Sequence, residues 1–475
     1  MSLSTSVVLL IAGLAQALSL AWPFEGAFKG ASQGWLQCLS LAIAAFHLDR
    51  SQTGKLAFAK TWVFAFAWLA GSIWWLFISM NRYGGLSAPI AGAAVGLMAA
   101  GLALFYAFAA TVYHRICRAG VGVLARASAF AAAWTLAEMV RGTLWTGFPW
   151  GAVGYAHVDS LLQPWAAWGG VYGLCALAAF FAMLLAAKRV DGRPTSRATH
   201  VGVAFLMAAL SYTWFTSPTR SANEPQPSNT PLSVTLLQGN IPQDLKFGEG
   251  INRALRDYRE ALLSSKSDLT VTPETAIPLI QQQMPERYWQ ALETHFAHGK
   301  QAALIGLPLA TRSEHGQLQY SNSAVALMPQ ATPASTAVYQ YDKHHLVPFG
   351  EFVPPFFQWF VRMMNIPLGD FTRGEVAQPS LVFKGERIAP NICYEDLFGE
   401  ELARSFADPD HAPTLMVNLS NIAWFGDTVA IDQHLNISRM RALELGRPML
   451  RATNTGATAI IDAQGHVTHR LPSAV

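Results

Sequence analysis

The sequence predicts a bundle of membrane-spanning α-helices followed by a separate α/β domain. The chain has 475 residues, enough for more than one domain, and 52% of them are hydrophobic while only 13% are charged. Residues 1–215 contain 13 Lys and Arg against 5 Asp and Glu, hence +8, and the remainder contains 20 against 25, hence −5. Two physically different regions are therefore joined. The basic residues lie in short loops between apolar runs and do not indicate binding of nucleic acid.

Seven apolar runs in the first region are candidates for membrane-spanning helices. A bilayer core about 30 Å thick needs roughly 20 apolar residues in a helix. The runs lie near 6–24, 34–48, 61–80, 87–113, 121–140, 161–187 and 198–215. A cleavable signal peptide is the alternative for the first run, but that run has no basic n-region and further spans follow it. We therefore expect a transmembrane domain over residues 1–215.

The loops between these runs predict the orientation of the domain. Three loops rich in basic residues alternate with loops that carry one basic residue each. The rich loops contain Arg50, Lys55 and Lys60; Arg115, Arg118 and Arg126; and Lys188, Arg189, Arg193 and Arg197, and the poor loops contain Lys29, Arg82 and Arg141. By the positive-inside rule the rich loops are cytoplasmic. After seven spans, everything beyond residue 215 is expected on the outer side of the membrane.

The rest of the chain predicts a linker and an α/β domain. Residues 216–232 include "SPTRSANEPQPSNTP", which is rich in Pro, Ser and Asn and lacks periodicity, as is typical of a flexible connector. In the domain that follows, 233–475, short runs favour strands at 233–240, 268–275, 302–310, 321–329, 335–343, 388–396, 414–421 and 455–462, with helices at 249–265, 285–298 and 428–446. This mixture indicates a layered α/β domain.

Three polar residues lie at the ends of predicted strands: Glu274, Lys343 and Cys393. Strand ends are where sites in α/β sheets are commonly built. Each residue alone has an ordinary explanation, as a carboxylate at a helix start, a solvated turn lysine and a buried thiol. Together they can support covalent catalysis, in which Glu274 takes the thiol proton and Lys343 stabilises the thiolate and the oxyanion of an adduct. Cys393 is also the only cysteine of the outer domain, so it has no disulfide partner there.

Longer segments around these residues resemble a known family. "TVTPETAIP", "YDKHHLVPFGEFVP" and "NICYEDLFG" resemble the Glu–Lys–Cys signatures of the nitrilase superfamily. With the preceding spans and "LLQGNIPQDLKF", "AWFGDT", "RMRALELGRPMLRATNTG" and "EMVRGTLWTGFPW", the chain is similar over nearly its whole length to the bacterial apolipoprotein N-acyltransferases. The resemblance implies a nitrilase-like αββα sandwich on the periplasmic side of the bacterial inner membrane. It implies transfer of a phospholipid acyl chain to the α-amino group of a diacylglyceryl-cysteine lipoprotein, without cofactor or metal.

The resemblance also implies roles for individual residues. Glu274 would be the general base, Lys343 the electrostatic stabiliser and Cys393 the nucleophile that carries the acyl group as a thioester. Glu351, eight residues after Lys343, matches a glutamate that supports the site in the family. The reaction implied is of the ping-pong type, with a phospholipid acyl donor and a diacylated apolipoprotein acceptor, and the protein is expected to be a monomer.

Other positions match the family or depart from it. Tyr394 and Glu395 match the residues that follow the family's nucleophile, and the backbone N–H of Tyr394 is a second candidate oxyanion donor. Glu395 has an ordinary explanation too, as the cap of a following helix. Phe247 stands where a tryptophan is common near the substrate entrance, and Ile422 stands where an aspartate is common. The family usually ends in a further membrane helix, but this sequence stops at "HVTHRLPSAV" with no apolar span following, so either the chain is shortened or the last anchor is absent.

An aromatic segment after Lys343 predicts contact with lipid. Residues 352–371 are rich in Phe and Pro and include a tryptophan and two methionines. We interpret them as a lid that dips into the membrane interface and guides acyl chains to Cys393, with a buried connector as the alternative. The adjacent His344 and His345 are expected to be structural, because no further ligands follow at spacings suited to zinc.

Two other classes of function remain open at the level of sequence. A nitrilase-type amidohydrolase on a membrane anchor would use the same three residues, but one span would suffice as an anchor. A membrane scaffold or transporter would need ionisable residues within spans. Glu138 and Arg141 are the main candidates, and an ion pair or contact with lipid headgroups at the end of the fifth span explains them more simply.

Overall fold

The computed structural model describes residues 1–117, 121–186, 189–190, 193–194, 231–246, 248–312, 315–329, 339–364 and 370–473. These residues form two compact units. The first contains residues 1–77, the described part of 88–223, and Asp432–Glu444. The second contains Ile78–Ser87, the described parts of 224–431, and Leu445–Val475 as far as residue 473. Ile78–Ser87, which comes early in the chain, therefore belongs to the second unit, and Asp432–Glu444, which comes late, belongs to the first.

The first unit consists mainly of long apolar helices. They are α1 (Leu3–Leu20), α2 (Gly34–Asp49), α3 (Gly54–Ile73), α4 (Ala88–Ile116), α5 (Val123–Thr143) and α6 (Ala166–Ala186). Among the described residues, five helices are long and apolar enough to cross a membrane, and α2, with 16 residues, is not among them. The predicted span 198–215 and the linker segment up to residue 230 lie outside the described residues.

Local sequence explains how these helices begin and how closely they pack. The hydroxyl of Thr53 accepts a hydrogen bond from the backbone N–H of Leu56 at 3.2 Å and caps α3. Gly13 lets α1 approach α3, because a Cβ there would lie 2.4 Å from the carbonyl oxygen of Phe64. Large apolar side chains such as Leu97 and Phe108 are exposed on α4, as expected for helices that face lipid.

A helix from late in the chain completes the first unit. Helix α9 (Ala430–Leu445) carries polar side chains that bond to groups of this unit. The Gln433 side chain accepts hydrogen bonds from the indole N–H groups of Trp75 at 3.2 Å and Trp150 at 2.7 Å. The Asn436 amide donates to the carbonyl oxygen of Leu20 at 3.0 Å. These bonds satisfy polar groups that are buried, so the helix is held here by specific contacts.

The second unit is built on two mixed sheets. The first sheet has the order β1 (Val234–Leu236), β2 (Leu269–Val271), β3 (Ala302–Arg312), β4 (Leu318–Leu327), β5 (Tyr339–Asp342). The second has the order β11 (Val467–Arg470), β10 (Ala459–Ile461), β9 (Met449–Thr453), β8 (Leu415–Ser420), β7 (Glu386–Ile392), β6 (Leu381–Phe383). Strands β1–β3 and β7–β9 are parallel, and the other pairs are antiparallel.

Alternating side chains place these sheets in layers. Leu304 of β3 packs in one cluster with Val417 of β8, so one face of each sheet lies against the other. The next residue of β3, Ile305, points to the opposite face and packs with α7 (Gly250–Ser264) and α8 (Tyr288–His298). The predicted combination of a helical bundle and an α/β domain is confirmed. The alternation along β3 explains why an apolar strand can be covered on both faces.

Candidate active site

The two sheets position the three residues predicted to act together. Glu274 lies three residues beyond the end of β2, Lys343 directly follows β5, and Cys393 directly follows β7. Cys393 interacts electrostatically with both Glu274 and Lys343. In the chain, Glu274 and Lys343 are 69 positions apart, and Lys343 and Cys393 are 50 positions apart. The structure thus brings together residues that are distant in sequence. Glu274 and Lys343 follow strands of the first sheet and Cys393 follows a strand of the second, so the packing of the two sheets against each other accounts for this convergence.

Lys343 is held between two carboxylates. Its ammonium nitrogen donates to Glu274 Oε1 at 3.2 Å and to Glu351 Oε1 at 3.0 Å, and the residue is 1% exposed. Burial alone would lower the pKa of Lys343, but the two carboxylates raise it well above its usual range. Lys343 is therefore a permanent cation whose charge is available to an anion that forms beside it, and it is not suited to give up its proton.

Asn322 of β4 fixes the two carboxylates relative to each other. Its amide donates to Glu274 Oε1 at 2.8 Å and to Glu351 Oε1 at 2.6 Å. The remaining oxygens accept from backbone N–H groups: Glu274 Oε2 from Asn421 at 3.0 Å, and Glu351 Oε2 from Val347 at 2.7 Å. Both carboxylates are thus held by directed hydrogen bonds, which fixes the orientation of Glu274 toward the other groups of the site.

Glu274 is kept ionised in spite of its burial. Burial raises its pKa, but the ammonium groups of Lys343 and Lys246 and the amide of Asn322 outweigh this and lower the pKa below its usual range. A carboxylate in the ionised state can accept a proton from a neighbouring thiol. The position of Glu274 therefore fits the role of a general base.

Cys393 occupies a strained backbone position at the point where the chain turns. Its φ is +53°, a left-handed value that non-glycine residues adopt rarely, between β7 and the helical turn Cys393–Leu397. The residue keeps partial exposure at the surface while protein atoms surround its thiol. Burial and then Glu274 raise the pKa of this thiol to about 12, and Lys343 opposes them. The resting group is therefore a thiol, which must lose its proton to a base as it attacks.

Glu395 organises the backbone around this turn. Its carboxylate accepts hydrogen bonds from the N–H groups of Ile392 at 2.6 Å, His344 at 2.7 Å and His345 at 3.2 Å, and from the hydroxyl of Tyr341 at 2.9 Å. Burial raises the pKa of Glu395 to about 7 in spite of these donors. The carboxylate thus joins the segment after β5 to the segment after β7, and with them Lys343 to Cys393.

The other predicted residues have different positions. Tyr394 is buried, and its ring contacts His345 and Phe398. Ile422 is also buried. Phe247 lies outside the described residues.

The two histidines that follow Lys343 have protein partners. The His344 ring bonds to the carbonyl oxygen of Gly374 at 2.7 Å. The ring of His345 stacks on Phe398, and its Nδ1 lies 3.1 Å from the carboxylate of Glu401. Among the described residues no group of three or more His, Cys, Asp or Glu side chains is arranged to hold a metal ion.

Sequence reasoning missed three residues that the structure brings to the site. Asn322, Asn421 and Lys246 all contact Glu274. Lys246 and Asn421 fall inside or beside motifs that carried the family resemblance, so their position was a signal that could have been used. Asn322 lies within an ordinary β-type run, "SNSAVALMP", and nothing in that run marks it as different from a strand residue.

The segment after the site exposes a group of apolar side chains. Phe356 is 93% exposed, Trp359 61%, Phe357 45% and Met363 42%. Residues 365–369 of the predicted lid lie outside the described residues. Side chains of this size are rarely left in water as a group, and such a patch marks a surface that contacts a partner or lipid. The observation disfavours the alternative of a buried connector for the described part.

Comparison with known proteins adds an independent finding. Residues 14–184 match the family described as apolipoprotein N-acyltransferase N-terminal domain, and residues 233–474 match the carbon-nitrogen hydrolase family. The second match covers the two sheets and Glu274, Lys343 and Cys393. The predicted nitrilase-like fold class of this region is thereby confirmed.

Similar proteins from other bacteria are apolipoprotein N-acyltransferases. An apolipoprotein N-acyltransferase from Verminephrobacter eiseniae is 52% identical over 97% of this chain and 85% of its own length. One from Ralstonia nicotianae is 47% identical over 92% of this chain and 81% of its own length. A solved carbon-nitrogen hydrolase from Helicobacter pylori aligns over 50% of this chain and 83% of that chain at 16% identity, with a TM-score of 0.32. The resemblance predicted from the motifs is confirmed by these two relatives.

Proposed function

This chain belongs to the family of apolipoprotein N-acyltransferases and is a membrane-bound acyltransferase, and on that premise we propose its substrates, mechanism and site. The protein takes an acyl chain from a phospholipid, holds it as a thioester on Cys393, and transfers it to the N-terminal amine of a diacylglyceryl-cysteine lipoprotein. The observation that carries the proposal is the cluster in which Lys343 bridges Glu274 and Glu351 beside the thiol of Cys393.

The first half-reaction forms the thioester. Glu274 takes the thiol proton of Cys393 as the sulfur attacks the ester carbonyl carbon of the phospholipid. The carbonyl oxygen becomes an oxyanion, which Lys343 stabilises together with the backbone N–H of Tyr394. The carbon–oxygen bond then breaks, and the departing lysophospholipid oxygen takes the proton from Glu274. Atoms and charge balance, because the thiol proton ends on the lysophospholipid.

The second half-reaction releases the acyl chain to the acceptor. The neutral amine of the lipoprotein attacks the thioester carbonyl, Glu274 accepts a proton from the nitrogen, and the carbon–sulfur bond breaks. Cys393 regains its proton and the product is an amide. A nitrogen acceptor competes with water for the thioester, so the site must limit access of water. The exposed apolar side chains at Phe356, Phe357 and Trp359 support a lid that lies in the lipid interface.

The membrane supplies the donor in this scheme. The apolar exposed faces of the helices in the first unit fit a bilayer, and the charge bias of the loops predicts that residues 233–475 lie on the periplasmic side of the inner membrane. Residues 1–215 would form the membrane domain and 216–232 the connection to the catalytic domain. The site is proposed to act without cofactor or metal, and the enzyme to act as a monomer.

The decisive experiment is covalent trapping. Purified protein in detergent micelles is incubated with phospholipid labelled in its acyl chains, without acceptor. We expect one hydroxylamine-sensitive acyl group on Cys393 by peptide mass spectrometry, and its disappearance in Cys393→Ala. Addition of a diacylglyceryl-cysteine peptide should discharge the label to the peptide amine.

Two outcomes would reject the proposal. Labelling that persists in Cys393→Ala would show that Cys393 is not the nucleophile. Release of ammonia from small amides, without transfer to a peptide amine, would instead favour the membrane-anchored amidohydrolase. The matched control is Cys38→Ala, which removes a thiol of the first unit and should leave labelling unchanged.

A further inference from the structure

Lys246 is a buried lysine beside the proposed reaction centre to which no role has been given. It follows β1 in the second unit and is 2% exposed. Its ammonium group donates to the backbone carbonyl oxygen of Glu274 at 3.1 Å. It also interacts electrostatically with the carboxylate of Glu274 and with Cys393. A buried lysine is costly to charge, so its location next to these groups calls for an explanation.

The charges at the site supply that explanation. Lys343 carries one positive charge and contacts two carboxylates, Glu274 and Glu351. Together with the neutral thiol of Cys393, these three groups carry a net charge of −1, and transfer of the thiol proton to Glu274 leaves the sum of the four groups unchanged. Lys343 and Glu351 then cancel each other, so the negative charge of the thiolate is unmatched. The ammonium group of Lys246 brings the sum to zero.

Two other charged groups, Arg451 and Glu395, do not replace this contribution. Arg451 interacts electrostatically with Cys393, but its guanidinium pairs with Asp396 at 3.3 Å, and both side chains are fully buried. Glu395 is a further acid near Lys343. It has a pKa raised by burial to about 7 and so adds negative charge as the pH rises.

We infer that Lys246 is a positioning residue of the reaction centre, which holds the backbone of Glu274 and supplies a positive charge that favours ionisation of Cys393 as it attacks the acyl donor. This inference rests on the proposed thioester mechanism. It concerns the first half-reaction, in which no acceptor amine takes part.

The protonation of Lys246 gives the inference a measurable signature. Burial lowers its pKa to about 8, although Glu274 and Cys393 act in the opposite direction. A group with this pKa loses its charge just above neutral pH, whereas Lys343 keeps its charge there. The rate of thioester formation in the wild type should therefore fall as the pH rises through about 8. Lys246→Arg, which keeps its charge, should lack this fall.

The experiment measures acylation of Cys393 in single-turnover mode between pH 6 and about 9.5. The donor is phosphatidylglycerol with labelled acyl chains, whose headgroup carries no amine that titrates in this range. Lys246→Met should acylate Cys393 about 10- to 100-fold more slowly at neutral pH and show no fall above pH 8. Lys246→Arg should recover most of the rate. Lys266→Met, which changes an exposed lysine of the same unit, is the control and should match the wild type.

The outcomes separate this inference from the proposed function. If the wild type acylates Cys393 and Lys246→Met does so at the same rate with the same pH profile, Lys246 has no such role while the thioester mechanism stands. If Lys246→Met does not fold, the pH profile of Lys246→Arg decides, and a fall near pH 8 in that variant overturns the inference. An unlabelled Cys393 in the wild type rejects the thioester mechanism itself.

Discussion

Each unit of the molecule buries a cluster of carboxylate and cation, and the two clusters differ in how their charges are satisfied. In the first unit, Arg141 donates to Glu138 Oε2 at 2.6 Å, and both side chains are fully buried. In the second unit, Lys343 contacts two carboxylates and lies beside a thiol. The first cluster pairs one positive with one negative charge, whereas in the second two carboxylates share the Lys343 ammonium group next to a nucleophile.

The hydrogen bonds reinforce this difference. The Arg141 guanidinium also donates to the carbonyl oxygens of Phe148 at 2.5 Å and Trp150 at 2.8 Å and to the hydroxyl of Tyr106 at 2.8 Å. Its donors thus join α4, α5 and the loop after α5, as expected of a pair that shapes a membrane protein. A buried ion pair by itself is therefore a weak sign of function. What marks Lys343 as functional is that two carboxylates share its ammonium group beside a thiol at a strained turn.

Replacement of Lys343 should have the largest effect on chemistry. Lys343→Met leaves Glu274 and Glu351 without their shared cation and removes the charge that stabilises the oxyanion. We expect acylation of Cys393 to fall by about 1000-fold or more, measured with labelled phospholipid in a single turnover. Lys300→Met, at an exposed lysine of the same unit, should behave as the wild type. Acylation within about tenfold of the wild type would contradict an electrostatic role for Lys343.

Replacement of Glu138 should instead affect stability. Glu138→Ala leaves the Arg141 charge buried and unmatched, so the free energy of unfolding in detergent micelles should drop by about 3 kcal/mol. The acylation rate per folded molecule should stay within about twofold of the wild type, because the substitution does not alter the Lys343 cluster. Glu25→Ala breaks an exposed ion pair with Lys29 and is the matched control. A large loss of acylation in Glu138→Ala with unchanged stability would show that this pair also serves catalysis, and would contradict the difference between the two clusters.

The protonation of Glu395 should produce a smaller effect that depends on pH. Because burial raises the pKa of Glu395 to about 7, the folded protein holds a proton that the unfolded chain, with a carboxyl pKa of about 4.3, has released. This contribution to stability is fully present below about pH 4.3 and is lost as the pH rises through about 7. The wild type should therefore lose stability relative to Glu395→Gln across this window, as measured by Tm at each pH.

The control for this measurement is a neighbouring exposed carboxyl. Glu400→Gln should give a difference from the wild type that does not change over the same window. A flat difference for Glu395→Gln as well would mean that Glu395 titrates with an ordinary pKa. Its hydrogen bonds to the segments after β5 and β7 would then outweigh the cost of burial.

Several features followed from local patterns in the sequence. The apolar runs predicted the long helices of the first unit because a helix in lipid must be apolar along its length. Short β-type runs predicted strands such as β3 and β8, and the ends of predicted strands indicated Glu274, Lys343 and Cys393. The division of the chain at 215 and 233 and the roles of these residues stay predictions. The supporting roles of Glu351, Tyr394 and Glu395 also stay predictions.

The sequence by itself determined what each segment can form, since composition and periodicity act between near neighbours. Only the tertiary structure decided which distant groups meet: Asn322 between two carboxylates, Lys246 on the carbonyl of Glu274, and Asp432–Glu444 within the first unit. The physical reason is that these contacts join polar groups far apart in the chain. Their partners are chosen by sheet order and burial, which no local pattern encodes.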